Sequence, residues 1–245
     1  MSEAVTPAAT PAATPVVLLH VWRVPARAVP PALGRLAVDR FRLRREEDVR
    51  FGKLLGTGTG YGFGPTDAEL TRYAALTVHA DDAAARRFAA GPVVAGWDRL
   101  ARAGARLTLR TISSRGRWSG REPFPTRDGK EHDGPVLALT RARLRPARAV
   151  TFWRAVPPVA AALRGAPGLL ARFGVGEAPI GWQGTVSVWR TTAELVDFAY
   201  RQPQHRAAIA RTATVGWYAE ELFARFAVSE VTGDRSVLDW REEGP

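Results

Sequence analysis

Four histidines and no cysteine set the redox and metal chemistry open to this chain of 245 residues. Without thiols there are no disulfides, iron–sulfur clusters, thiolate-bound haem or cysteine nucleophiles, and imidazole is the one strong soft ligand left. His205 holds the most suggestive position. It follows Pro203, which ends one helix, and a second helix starts in the 204–206 region, so the ring sits at a break between helices where a ligand can approach. A histidine at a helix start also serves as ordinary hydrogen-bonded surface, and pattern alone leaves both roles open. His20 alternates with Leu18 and Trp22 along one strand and His79 ends another. Each is a candidate catalytic acid or alternative ligand if its ring points into a barrel, and a packed side chain otherwise. No histidine pair has HExxH spacing and no GxSxG elbow occurs, which argues against the commonest zinc and serine hydrolases. The run GTGTGYGFG at 56–64 has neither dinucleotide-binding nor P-loop spacing. Glycine at every second position predicts a flexible turn or lid there, with Tyr61 and Phe63 as ligand contacts.

These residues need a scaffold, and the apolar pattern predicts one built twice. VVLLHVWRV from Val16 is a strand buried on both faces. Pro30 and Pro31 open a helix that carries Leu33, Leu36, Ala37 and Phe41 inward. Strands follow at Phe51–Leu55 and Tyr73–His79, then a helix capped by Asp81 or Asp82, then a strand at Ala105–Ile112. The order restarts with a strand at Val136–Leu144, a helix at Val150–Leu163, strands near Leu169–Val175 and Thr185–Trp189, a long helical portion, and a last strand at Ala227–Thr232. Each half is βαββαβ, with LLGTG at 54–58 facing LLARFG at 169–174. Such a unit makes a four-stranded antiparallel sheet with both helices on one face. Two of them pairing their bare faces form an α+β barrel within one chain, with the space between the sheets available to a flat or elongated apolar ligand. The expected organisation is a disordered Ala/Pro/Thr tail at 1–15, a first half at 16–112, a linker or flap at 113–135, a second half at 136–233 and a C-terminal tail at 234–245.

The formal net charge of +11 is carried almost wholly by arginine, since Lys53 and Lys130 are the only lysines. The arginines are scattered and no nucleic-acid module is present, so nucleic acid is not an expected partner. An anionic membrane surface is another customer for the charge. No apolar run reaches the roughly 18 residues of a membrane span and the N-terminus lacks the pattern of a signal peptide, which places the expected protein in the cytoplasm.

The segments GWQGTVSVW, FAYRQPQH and GWYAEELFARF between 181 and 226 resemble the spheroidene monooxygenase family, haem-containing oxygenases of carotenoid biosynthesis. The resemblance extends upstream through FGKLLGTGTGYGFGPTD at 51–67 and FGVGEAPIGWQG at 173–184. It implies the same barrel, shared by haem enzymes that place a proximal histidine on a helix beside the sheet, and one b-type haem held by His205. Matching Pro203 to Pro92 sets His205 opposite Val94, so only the second half would carry the ligand. Arg206 and Arg211 are then candidates for the haem propionates and Trp217 for the pocket wall. The implied chemistry is oxidation of an apolar polyene or a small secondary metabolite, with an external electron donor or peroxide because the chain has no flavin or nicotinamide motif. Peripheral membrane contact and self-association are compatible with it. The rival readings are a haem-free isomerase, cyclase or oxygenase of the same barrel using His20 or His79, and a non-enzymatic haem or ligand carrier.

Overall fold

The computed structural model describes residues 14–60, 67–126, 132–154, 163, 165–177, 182–201 and 215–241, with the backbone alone at 182 and 183. The first half contains β1 (Val16–Arg23), α1 (Val29–Arg42), β2 (Phe51–Gly58), β3 (Ala68–His79), α2 (Asp82–Ala89), α3 (Pro92–Asp98) and β4 (Ala103–Gly116). The second contains β5 (Val136–Leu144), helical residues at 149–154, β6 (Leu169–Gly176), β7 (Trp182–Trp189), α4 (Thr192–Arg201) and β8 (Tyr218–Gly233).

All strand pairings are antiparallel and the order around the sheet is β1-β3-β2-β6-β7-β5-β8-β4, closed into a barrel. Each half thus has the ferredoxin-like order, β4-β1-β3-β2 and β8-β5-β7-β6, and the halves join edge to edge rather than as two separate layers. The expected α+β barrel forms. The β4–β8 seam is long. The β2–β6 seam is short, pairing Gly56, Thr57 and Gly58 with Gly176, Val175 and Gly174. Glycine is required beside it: Gly60 has φ +71° and a Cβ there would lie 2.8 Å from the Gly174 nitrogen.

Strand alternation sorts the side chains into an inner and an outer layer. Val17, Leu19 and Val21 of β1 meet Leu137, Leu139, Phe173, Val186, Leu222 and Phe226 of the other half inside the barrel. Leu18 and Trp22 face outward under the first half's helices with Tyr73, Phe88 and Trp97. The inside is therefore a packed core among the described residues, and the ligand space expected between the sheets is filled by these side chains.

Three further expectations give way to the structure. Residues 218–226, expected within the long helical portion before Ala227, are the first part of β8, because Leu222, Ala224 and Phe226 alternate inward with period two. The stretch expected as a linker or flap begins as the end of β4, and its next residues plug the barrel: Trp118 and Phe124 are buried against Phe51 and Phe226. The expected C-terminal tail likewise turns back at Arg235–Leu238 and buries Val237 and Leu238 in the opposite mouth.

Candidate functional site

Two sheet faces and two barrel mouths hold the chemistry-bearing side chains, and they differ sharply in how they are filled. On the first half's outer face His20 is only 4% exposed, stacked on Trp22 at 5.3 Å and edge-on to Phe88 at 6.1 Å. Trp22 stacks in turn on Trp97 and donates from Nε1 to Asp98 at 2.7 Å. Neither ring nitrogen of His20 has a hydrogen-bond partner among the described residues. Burial, reinforced by the charge of Arg106, lowers its pKa from 6.5 to about 3, so the ring is neutral at physiological pH. A cleft of about 320 Å³ opens beside it, lined also by Val94, Asp98, Arg102 and Arg106.

His79 lies on the same outer face, against Phe88. Its Nδ1–H donates to the Asp48 carbonyl at 2.7 Å, which leaves Nε2 to accept the Thr77 hydroxyl at 2.8 Å. Burial lowers its pKa, opposed by the Asp48 carbonyl and nearby carboxylates. Both rings therefore sit between sheet and helices, outside the barrel, where the expectation of an inward-pointing distal acid had not put them. The strand parity that carries Val17, Leu19 and Val21 inward carries His20 outward.

The second half's outer face is different. The ladder registers match Val16, paired with His79, to Val136, paired with Trp189. Leu18, His20 and Trp22 thereby correspond to Ala138, Thr140 and Ala142. Where the first half has a bulky, fully covered layer, the second has small side chains, with Ala138 half-buried and Thr140 exposed. Beside them an apolar wall contains Val136, Leu163, Leu169, Trp189, Leu195 and Phe198. Trp217, expected as a pocket contact, is buried and already engaged: its Nε1 donates to Thr151 Oγ1 at 3.1 Å and its ring meets Phe152 edge-on. It pins the helical residues at 149–154 to the start of β8. His205, Arg206 and Arg211 lie outside the described residues, as do Tyr61 and Phe63. No cluster of three or more His, Cys, Asp or Glu suited to a metal ion occurs among the described residues.

The mouths hold charge that the histidine-led reading missed. At one, Glu177 accepts from Lys53 at 2.6 Å, from Arg141 at 3.0 Å and from Trp118 Nε1 at 2.6 Å. Arg141, 2% exposed, also pairs with Glu220, which accepts from the backbone N–H groups of Ser119 and Gly120. Burial pushes the Glu220 pKa up, and those hydrogen bonds with Arg141 outweigh it, leaving the carboxyl below its ordinary value. At the other mouth Arg72, 1% exposed, pairs with Glu69 and Asp239 and lies 5.1 Å from the centre of the Phe173 ring. A cavity of about 290 Å³ adjoins it, lined by Thr59, Glu69, Arg172, Asp239 and Arg241. The available signal was an arginine at an inward parity: Arg141 in LALTRARL falls in step with Leu137 and Leu139.

A closed barrel of two ferredoxin-like halves with helices outside is also the fold of an aldoxime dehydratase solved with butyraldoxime, which superposes with a TM-score of 0.58 at 14% identity over 90% of this chain and 81% of that one. That likeness defines the architecture. Sequence defines the kinship: a spheroidene monooxygenase of Rhodobacter capsulatus is 34% identical over 209 residues, 84% of this chain and 86% of that protein, and one of Rubrivivax gelatinosus is 34% identical over 237 residues, 94% and 89%. No family profile matches the chain. The chain belongs to the spheroidene monooxygenase family and is an oxidoreductase of the oxygenase class. No helix among the described residues is long and apolar enough to cross a membrane.

Proposed function

We propose that the protein is a haem-dependent monooxygenase acting on an apolar polyene, with the haem seated against the outer face of the second half's sheet. The observation that carries the reading is the replacement of Leu18, His20 and Trp22 by Ala138, Thr140 and Ala142 at matched ladder positions. A duplicated unit that fills one outer face with aromatic rings and gives the matched β5 positions small side chains leaves room there, among the described residues, for a flat group. The apolar wall of Trp189, Leu195 and Phe198 suits the faces of a porphyrin. In this reading His205 would hold the haem iron, and Arg206 and Arg211 would meet the propionates. When bound, haem would supply oxygen activation, which no side chain of this chain can provide.

The protein's own residues then have three tasks. The small β5 side chains let the group approach the sheet. The apolar wall excludes water from the reacting edge. The Trp217–Thr151 hydrogen bond holds the adjoining helical segment in place. The two first-half histidines are poor rivals as ligands: His79 has both nitrogens engaged, and both nitrogens of His20 are shut off from solvent. The test is turnover. Purified protein supplied with haem, a reductant and an acyclic carotenoid is expected to convert the polyene to a product heavier by one oxygen atom per event. Equal conversion with haem withheld would favour the haem-free enzyme, and haem binding without conversion would favour a carrier.

A further inference from the structure

Helix α1 is apolar on two sides, and the fold uses only one of them. Spacing alone predicts that Leu33, Leu36, Ala37 and Phe41 face the core. The structure keeps only Leu36 of these on the inward side. It buries Ala32 and Asp39, half-buries Leu36, and leaves Leu33, Val38 and Phe41 46%, 50% and 49% exposed. Half of the exposed large hydrophobic side chains among the described residues are thus on this one helix, the others being Leu70, Val150 and Tyr200. The inward face packs Ala32 and Leu36 against the first half's outer layer and holds an aspartate that accepts from Arg35 at 2.8 Å and Arg42 at 3.0 Å.

The outward face that results has a definite chemistry. Asp39 is the only acid in α1, so turning it inward clears that face of carboxylates. Arg40 stacks over the Phe41 ring at 4.6 Å and Arg44 at 5.8 Å, and Arg42 and Arg45 are exposed beside them. The remaining outward positions are Pro30, Pro31, Gly34 and Ala37. The face therefore offers apolar side chains bordered by guanidinium groups, with no serine, threonine, asparagine or glutamine to make the directional hydrogen bonds of a folded protein interface. Glu46 and Glu47 lie past the helix end, and Asp48 is paired with Arg87.

We infer that the outer face of α1 docks this protein in the plane of an anionic lipid surface, with Leu33, Val38 and Phe41 entering the headgroup boundary and Arg40, Arg44 and Arg45 meeting lipid phosphates. The arrangement is that of an interfacial amphipathic helix, whose binding combines buried apolar area with attraction to anionic headgroups. It stands apart from the haem reading, since it concerns a different half and a binding readout rather than turnover.

The test is flotation of the full-length protein with phosphatidylcholine vesicles containing phosphatidylglycerol, beside vesicles of phosphatidylcholine alone. The parent is expected to float with the anionic vesicles only, and less so as salt is raised. Leu33→Ser with Phe41→Ser, and separately Arg40→Gln with Arg44→Gln, are each expected to lower partitioning by about tenfold or more while keeping the parent's circular dichroism and melting temperature, because these side chains point away from the core. Failure of the parent to float, or undiminished binding by both variants, would overturn the proposal. So would a doubling of mass in vesicle-free buffer that the Leu33/Phe41 variant abolishes, which would assign the face to a second copy of the chain.

Discussion

Glu177→Ala is the sharpest probe of how the barrel is sealed. The Glu177 side chain is 15% exposed and receives three donors, from Lys53, Arg141 and Trp118. Removing one partner of a buried ion pair costs about 3–5 kcal/mol, because the remaining charge stays desolvated. Here Arg141 keeps Glu220 and Lys53, also 15% exposed, can turn to solvent, which places the expected loss near the lower bound, about 3 kcal/mol. For a chain of this size that corresponds to a melting temperature lower by roughly 6–12 °C. Trp118 loses its acceptor too, so its fluorescence should shift toward the emission of a wetter indole at temperatures well below the transition. Denaturant melts of the parent, Glu177→Ala and Arg141→Met/Glu177→Met supply the assay. The double replacement should not recover the loss, since it also takes Arg141 from Glu220 and leaves that carboxylate held by the Ser119 and Gly120 N–H groups. A single-mutant loss under about 0.5 kcal/mol with unchanged Trp118 emission would mean that the network is solvated and that the 117–126 segment does not close the mouth.

Other outcomes follow from the same geometry. His20→Phe removes two buried nitrogens without partners and keeps the stacking on Trp22, so it should be neutral or stabilising by about 1 kcal/mol at pH 7 in denaturant melts. Because the folded pKa of His20 is depressed to about 3, the parent loses stability as pH falls from 6.5 toward that value, and the His20→Phe protein should lose less over the same window. Glu220 has a lowered folded pKa, so its contribution is present above the ordinary carboxylate range and disappears as pH falls through the folded value; Glu220→Gln should flatten the acid limb of a melting-temperature profile. Thr140→Trp places a ring where the small-residue face is exposed, and should leave folding intact while lowering haem per protein by about tenfold in an absorbance assay.

The architecture was legible because it rests on repeated local signals. Strand–helix–strand spacing recurs in both halves, and β5 at Val136–Leu144 has the very bounds its alternating apolar pattern predicts. Facing directions were less legible. His20 and the α1 stripe both lie on segments apolar on two sides, where periodicity identifies a period and tertiary packing chooses which side faces in. The plugs at the mouths were hidden for a different reason. Trp118 and Phe124 sit in an Arg/Gly/Pro-rich stretch without periodicity, and their burial depends on Phe51 and Phe226, which are remote in sequence. The contrast between Ala138, Thr140 and Ala142 and their first-half counterparts was present in the sequence but needed the ladder registers to align it.

The central claim is that one haem binds in the second half through His205, and an absorption spectrum of protein expressed with haem supply, beside His205→Ala, tests it most directly. The account predicts a strong Soret band in the parent that is lost or markedly shifted in the variant. A folded parent without a Soret band, or the same band in both proteins, would contradict it.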